Sequence, residues 1–194
     1  MRKALLGLMV VGMVGVGYIA SSLATNSVDL TETLINLILN QDEVRTVLEN
    51  NQWVLRSVGS TTPPERAEGA VSAIYDQGSD EIRIILIQFA ELSLAEPTLS
   101  VQFISNGITE IDSAGLLSEP AKDLLADETS REMFQEPVLA QQAYLLEFKQ
   151  EKDRQLILNF NGKVILLRSN LPVDKVLQLG VVQLAKLNEL APPQ

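Results

Sequence analysis

Apolar positions recur along this chain with two periods, and each change of period marks an element. The clearest case runs from Gln155 to Leu190, QLILNF-NG-KVILLRSN-LPVDKVLQLGVVQLAKLNEL. Two apolar, β-rich runs flank Asn161-Gly162. A type I′ turn needs φ > 0 at both central residues, and Asn-Gly meets that need at the lowest cost. A two-residue turn sets the register, predicting Phe160 opposite Lys163, Leu158 opposite Ile165 and Leu156 opposite Leu167. After Pro172 and Asp174 the period lengthens. Val173, Val176, Leu177, Val181, Leu184 and Leu187 then recur as on one face of a helix.

Upstream, Leu30, Leu34, Leu37, Ile38, Val44 and Leu48 also keep helical spacing. Asp29 stands where an N-cap would, with Glu32 three residues on, a variant of the capping box. This helix should reach about Asn50, with a break near Asn40 to Asp42. Its polar face carries three acids against Arg45, the opposite of an interfacial membrane helix. Trp53 to Val58 predicts a first strand, and Gly59 to Gly69, with its Pro-Pro pair, a loop. Ala70 to Tyr75 and Glu81 to Ala90 predict a hairpin, the second run apolar enough for a strand covered on both faces. Leu99 to Ile104 and Ile108 to Ile111 predict two weaker strands about Asn106-Gly107. Ser118 can cap a helix with Pro120 in its first turn, reaching about Phe134 and burying Leu124, Leu125 and Phe134. Val138 to Lys149 predicts a further strand.

The pattern predicts an α+β fold. It has a mostly antiparallel sheet of about 6–7 strands with N-terminal, middle and C-terminal helices, preceded by an N-terminal hydrophobic leader or anchor helix. Trp53, Phe89, Phe103, Phe148 and Phe160 all fall in predicted strands, where core packing explains them. In broad layout the pattern resembles the small exported α/β/α sandwiches typified by the oxygen-evolving accessory protein of photosystems in the thylakoid lumen. That likeness is of layout and rests on no shared motif.

The leader divides the chain. Arg2 and Lys3 form a positive start, the 17 residues from Ala4 to Ala20 are apolar, Gly or Tyr, and no charge follows until Asp29. Ser22-Leu23-Ala24 offers small residues for signal-peptidase cleavage before Thr25. The apolar core is nonetheless longer than most signal peptides and approaches a membrane span. Residues 1–24 are therefore a signal peptide or a membrane anchor, 25–51 a helical segment, 52–190 the α+β domain and 191–194 a tail. Either way the positive end stays inside and the rest is extracytoplasmic, in a periplasm, a lumen or at the cell surface. Residues 4–24 enter the membrane if uncleaved.

Charge and composition narrow the chemistry. The formal charge is −10, with 15 basic and 25 acidic residues; without Arg2 and Lys3 it becomes −12. Such a surface repels phosphate backbones, so no nucleic-acid partner is expected. With neither Cys nor His in the sequence, disulfides, thiolate nucleophiles, the common zinc ligands and every Ser-His-Asp arrangement are excluded. Asp76, Asp80 and Glu81 crowd a turn and supply oxygen ligands, but their spacing is not that of a calcium loop. Glu65 and Glu68 flank Arg66 in the Pro-Pro loop, yet such acid pairs arise in any chain this acidic. Gly59-Ser60-Thr61-Thr62 lacks the basic support of an anion site. No dinucleotide, P-loop or nucleophile-elbow motif occurs. No catalytic residue, metal site or cofactor is expected, and the chain is not expected to be an enzyme.

One pattern calls for a partner. The C-terminal helix is apolar over roughly 200°, wider than the stripe of about 100° that one sheet requires. Leu179 and Leu190 form the surplus margin, and Val182 stands among polar residues. These three are the expected partner interface unless the N-terminal helix covers them. The sequence thus predicts a non-catalytic, exported accessory or interaction domain of an envelope complex, with a protein partner. A small-ligand or lipid-binding module is the alternative, and a carboxylate-dependent hydrolase the third.

Overall fold

The computed structural model describes residues 30–90, 98–135, 139–150 and 152–189. The leader, Asp29, Leu190 and the tail lie outside these. Among the described residues, no helix is long and apolar enough to cross a membrane.

Seven strands form one sheet in the order β1-β2-β3-β7-β6-β5-β4, every pair antiparallel. They are β1 (Val54–Ser60), β2 (Ala67–Gln77), β3 (Asp80–Phe89), β4 (Lys122–Asp123), β5 (Gln142–Glu147), β6 (Arg154–Phe160) and β7 (Lys163–Ser169). Two meanders, β1 to β3 and β4 to β7, meet where β3 pairs with β7. The helices are α1 (30–37), α2 (Gln41–Leu48), α3 (Thr98–Ser113), α4 (Glu128–Gln135) and α5 (Val173–Glu189). The α+β expectation holds, with helices at the N-terminal, middle and C-terminal positions.

The predicted hairpin register is the observed one: Phe160 pairs with Lys163, Leu158 with Ile165 and Leu156 with Leu167. Asn161 at φ 46° and Gly162 at φ 74° make its left-handed turn. Side-chain alternation splits the sheet into two dry faces. Ile82, Ile84 and Leu86 of β3, Leu156 and Leu158 of β6, and Ile165 and Leu167 of β7 face a core shared with residues from α1, α2, α4 and α5. Ile87 of β3, Ile157 of β6 and Val164 of β7 face a smaller core closed by Ile104 and Ile108 of α3.

That helix overturns a predicted hairpin. Asn106-Gly107 lies inside α3, because Ile104, Ile108 and Ile111 at helical spacing all pack into the second core. An Asn-Gly pair signals a turn only where the flanks alternate, and here they do not. The predicted helix from Ser118 to Phe134 is instead a short strand, a 3-10 turn (Leu124–Ala126) and α4. Asp127 caps α4, accepting hydrogen bonds from Ser130 N and Oγ at 3.1 and 2.9 Å. Leu124 and Phe134 are buried as expected.

The expected break after α1 is real and heavily tied. Asn40 and Glu43 form a capping box for α2. Across the gap, Leu39 N donates to Gln183 Oε1 (3.1 Å) and Gln183 Nε2 donates to the Leu37 carbonyl (2.8 Å). The Tyr75 hydroxyl donates to the Leu39 carbonyl, and burial pushes that phenol's pKa up. Lys186 Nζ reaches the Ile38 carbonyl and Glu43 Oε2, at 2.8 and 2.7 Å. Without these bonds the backbone groups of a buried helix break would lack partners.

Candidate functional site

The face of the sheet that α3 covers is not covered along its whole length. At the opposite end, where β3 begins and β7 ends, charged side chains replace the apolar ones. Arg83 and Arg168 are cross-strand partners, so their side chains leave the same face side by side, where like charges repel unless compensated. Compensation comes from two carboxylates. Glu81 Oε1 lies 3.3 Å from Arg83 Nη2, and Asp153 Oδ2 accepts from Arg168 Nε at 2.8 Å. Together these four line a cleft of about 340 Å³.

Its floor is held by backbone-directed bonds. Ser169 Oγ donates to the Glu81 carbonyl (2.7 Å), and Glu81 N donates to Asn170 Oδ1 (3.2 Å). Asn170 Nδ2 donates to Asp80 Oδ1 and the Ser79 carbonyl, at 3.2 and 3.3 Å. The exit of β7 is thereby fastened to the β2–β3 turn. Arg168 also lies over the Phe148 ring, 5.0 Å from its centroid. That ring opens a second cleft of about 290 Å³, walled by Leu116, Phe148 and Lys149 and sharing Arg168 with the first. A charged arm and a more apolar arm therefore meet at one guanidinium.

Burial and the charge of Glu81 push the Asp153 carboxyl pKa up, against the downward pull of Arg83. The pairs lie partly in water, with Arg83 48% and Glu81 45% exposed. At that exposure the Arg83–Glu81 pair contributes at most about 1 kcal/mol to stability, and a ligand can exchange it for an equivalent one at small cost. The cleft presents charge of both signs, and among its described lining residues no nucleophile stands beside a base.

Of the residues singled out by sequence, Glu81 lines this cleft; Asp76, Leu179 and Val182 do not. Asp76, Asp80 and Glu81 are engaged by Arg56 (3.3 Å to Asp76 and 3.7 Å to Glu81) and by Asn170. Among the described residues, no group of His, Cys, Asp or Glu is placed to hold a metal ion. Leu179 is a correction to the expected partner interface: it is fully buried in the core that contains Leu34, Ile38 and Val44. Leu179 is taken up inside the chain, one turn before Gln183, which ties α5 to the break between the N-terminal helices. Val182 is half-buried against the same core, and Leu190 lies outside the described residues. Sequence expectations assign no role to Arg83, Arg168 or Asp153. The signal they offer is an arginine interrupting the apolar run of each of two adjacent strands.

No family model matches this sequence, and no curated protein matches it. The fold is similar to that of the extracellular domain of PknH from Mycobacterium tuberculosis. That likeness has a TM-score of 0.50 and 9% sequence identity, and covers 79% of this chain and 93% of that one. At such identity it is a likeness of fold.

Proposed function

We propose that this chain is an exported, non-catalytic domain, tethered by its leader or released from it, that serves as an accessory or interaction subunit of an envelope complex. The observation that carries the reading is a conjunction. An uncharged leader behind Arg2 and Lys3 precedes a fold similar to a domain that is extracellular in another protein. The lack of His and Cys supports the absence of catalysis. With Leu179 in the core, the partner side of the proposal rests on the leader and fold, not on α5.

Fractionation of the full chain tests it. The protein should resist carbonate extraction and be digested by protease added from the exported side only, or else be recovered as a soluble form beginning at Thr25. Full-length protein in the cytosolic fraction, protected from external protease, would overturn export. Detergent extracts should yield a complex; recovery of the protein alone as a monomer would overturn the accessory role.

A second reading is favoured by the cleft itself. A charged recess that shares Arg168 with a more apolar one suits a small-ligand module, within the size range of small-molecule sites.

A further inference from the structure

We propose that the two neighbouring clefts, which share Arg168 in their linings, together bind a small zwitterion with an apolar side chain, an apolar α-amino acid being the simplest. Its carboxylate would face Arg83 and Arg168, its ammonium Glu81 and Asp153, and its side chain Phe148 and Leu116. The inference rests on the small-ligand reading and is independent of export.

Charge balance selects the class. Among the described residues, the lining of the charged arm holds two cations and two anions, and Arg56 lies 3.7 Å from Glu81 outside that lining. A simple anion would gain from the arginines and be repelled by both carboxylates, and a simple cation would meet the reverse. A zwitterion meets complementary charge at both ends. The second arm then limits the remainder of the ligand, because Phe148 and Leu116 offer apolar surface directly beyond Arg168. Leu116 is 47% exposed, and contact with an apolar group would remove part of that surface from water.

Pre-organisation strengthens the case. Asp153 and the Phe148 ring together hold the plane of the Arg168 guanidinium, so little side-chain freedom remains to be lost on binding. Ser169 and Asn170 hold the floor in the same way.

The test is calorimetric titration of the full chain in detergent with L-phenylalanine and L-leucine. Three incomplete analogues complete the set: 3-phenylpropionate lacks the ammonium, phenethylamine the carboxylate, and glycine the side chain. Saturable binding of one amino acid per chain is expected for L-phenylalanine or L-leucine, with each analogue weaker by about tenfold or more. Arg83→Gln should weaken the amino acid by a similar factor while the melting temperature holds. If that variant fails to fold, Leu116→Ser, at an exposed position, should narrow the gap between L-phenylalanine and glycine. Equal binding of 3-phenylpropionate, or a gap unchanged by Leu116→Ser, overturns the proposal. Binding of 3-phenylpropionate or inorganic phosphate without any amino acid would sink the zwitterion and leave the small-ligand reading standing. Silence across the whole panel would sink both.

Discussion

Asp127 shows what one side chain decides. It ends the 3-10 turn and begins α4 by accepting from Ser130 N and Oγ. Those bonds, first the backbone one and then the hydroxyl one, lower its pKa, with Lys122 and Arg131 adding to them. A lowered carboxyl pKa in the folded state gives stability that is fully present above the unfolded pKa of about 4. That stability is lost as the pH falls through the folded value. Asp127→Ala should therefore melt lower than the parent near neutrality, and the difference should shrink as the pH drops. Thermal melts of both proteins from neutral pH to strong acid check this; a constant difference would show that the charge is irrelevant. The cap was hidden in the sequence by competition, since Ser118 with Pro120 offered an equally good start. By contrast, Asn161 and Gly162 were legible because two dihedral requirements met the two residues that satisfy them best.

At the scale of elements, α3 and α5 carry glycines of opposite meaning. A Cβ on Gly180 would lie 2.3 Å from Leu156 Cδ2, with Leu158 and Phe134 also near. The close approach of α5 to β6 depends on that missing methyl. Ala improves helix propensity by about 1 kcal/mol, but overpacking a core costs about 1–3 kcal/mol. Gly180→Ala should lose about 1 kcal/mol net. A Cβ on Gly107 would meet nothing within 4 Å, so Gly107→Ala should gain about 0.5–1 kcal/mol. Urea denaturation of the two variants gives both signs. A loss at Gly107 would contradict the helical assignment and restore the hairpin. The sequence favoured a hairpin there because Asn106-Gly107 is a local signal, whereas the pull of Ile104 and Ile108 into a core comes from β6 and β7, far along the chain.

At the scale of the molecule, the N-terminal helices and α5 close on each other across more than 140 residues. Gln183 is the joint, fully buried and bonded to Leu37 at the end of α1 and to Leu39 within the break. Gln183→Ala would leave the Leu39 N–H and the Leu37 carbonyl without it, at about 1–3 kcal/mol for each buried group. The variant should melt lower, and amides of residues 30–48 should exchange faster than those of β3 and β7. Exchange that stays uniform would show that the helices and the sheet unfold as one unit despite the lost bonds. The same closure explains the margin of α5. Its apolar arc is wider than one sheet requires, and Leu179 lies in the same core as Leu34, Ile38 and Val44 of the N-terminal helical segment.

Hydrophobic period and turn chemistry, by themselves, determined the fold class, the β6–β7 register, the break after α1 and the helix after Pro172. Each depends on residues close in sequence, whose conformational preferences act locally. Composition determined which chemistry is closed to the chain, because a residue type that is absent cannot act. Only the tertiary structure decided the cleft. Arg83 and Arg168 lie 85 positions apart, and they become neighbours through the pairing of two separate meanders at β3 and β7. Asp153 and Phe148 join them because β5 and β6 enter from the far edge of the sheet. No local preference encodes such a meeting: it follows from which faces must be buried together, and that is settled only when the whole sheet forms.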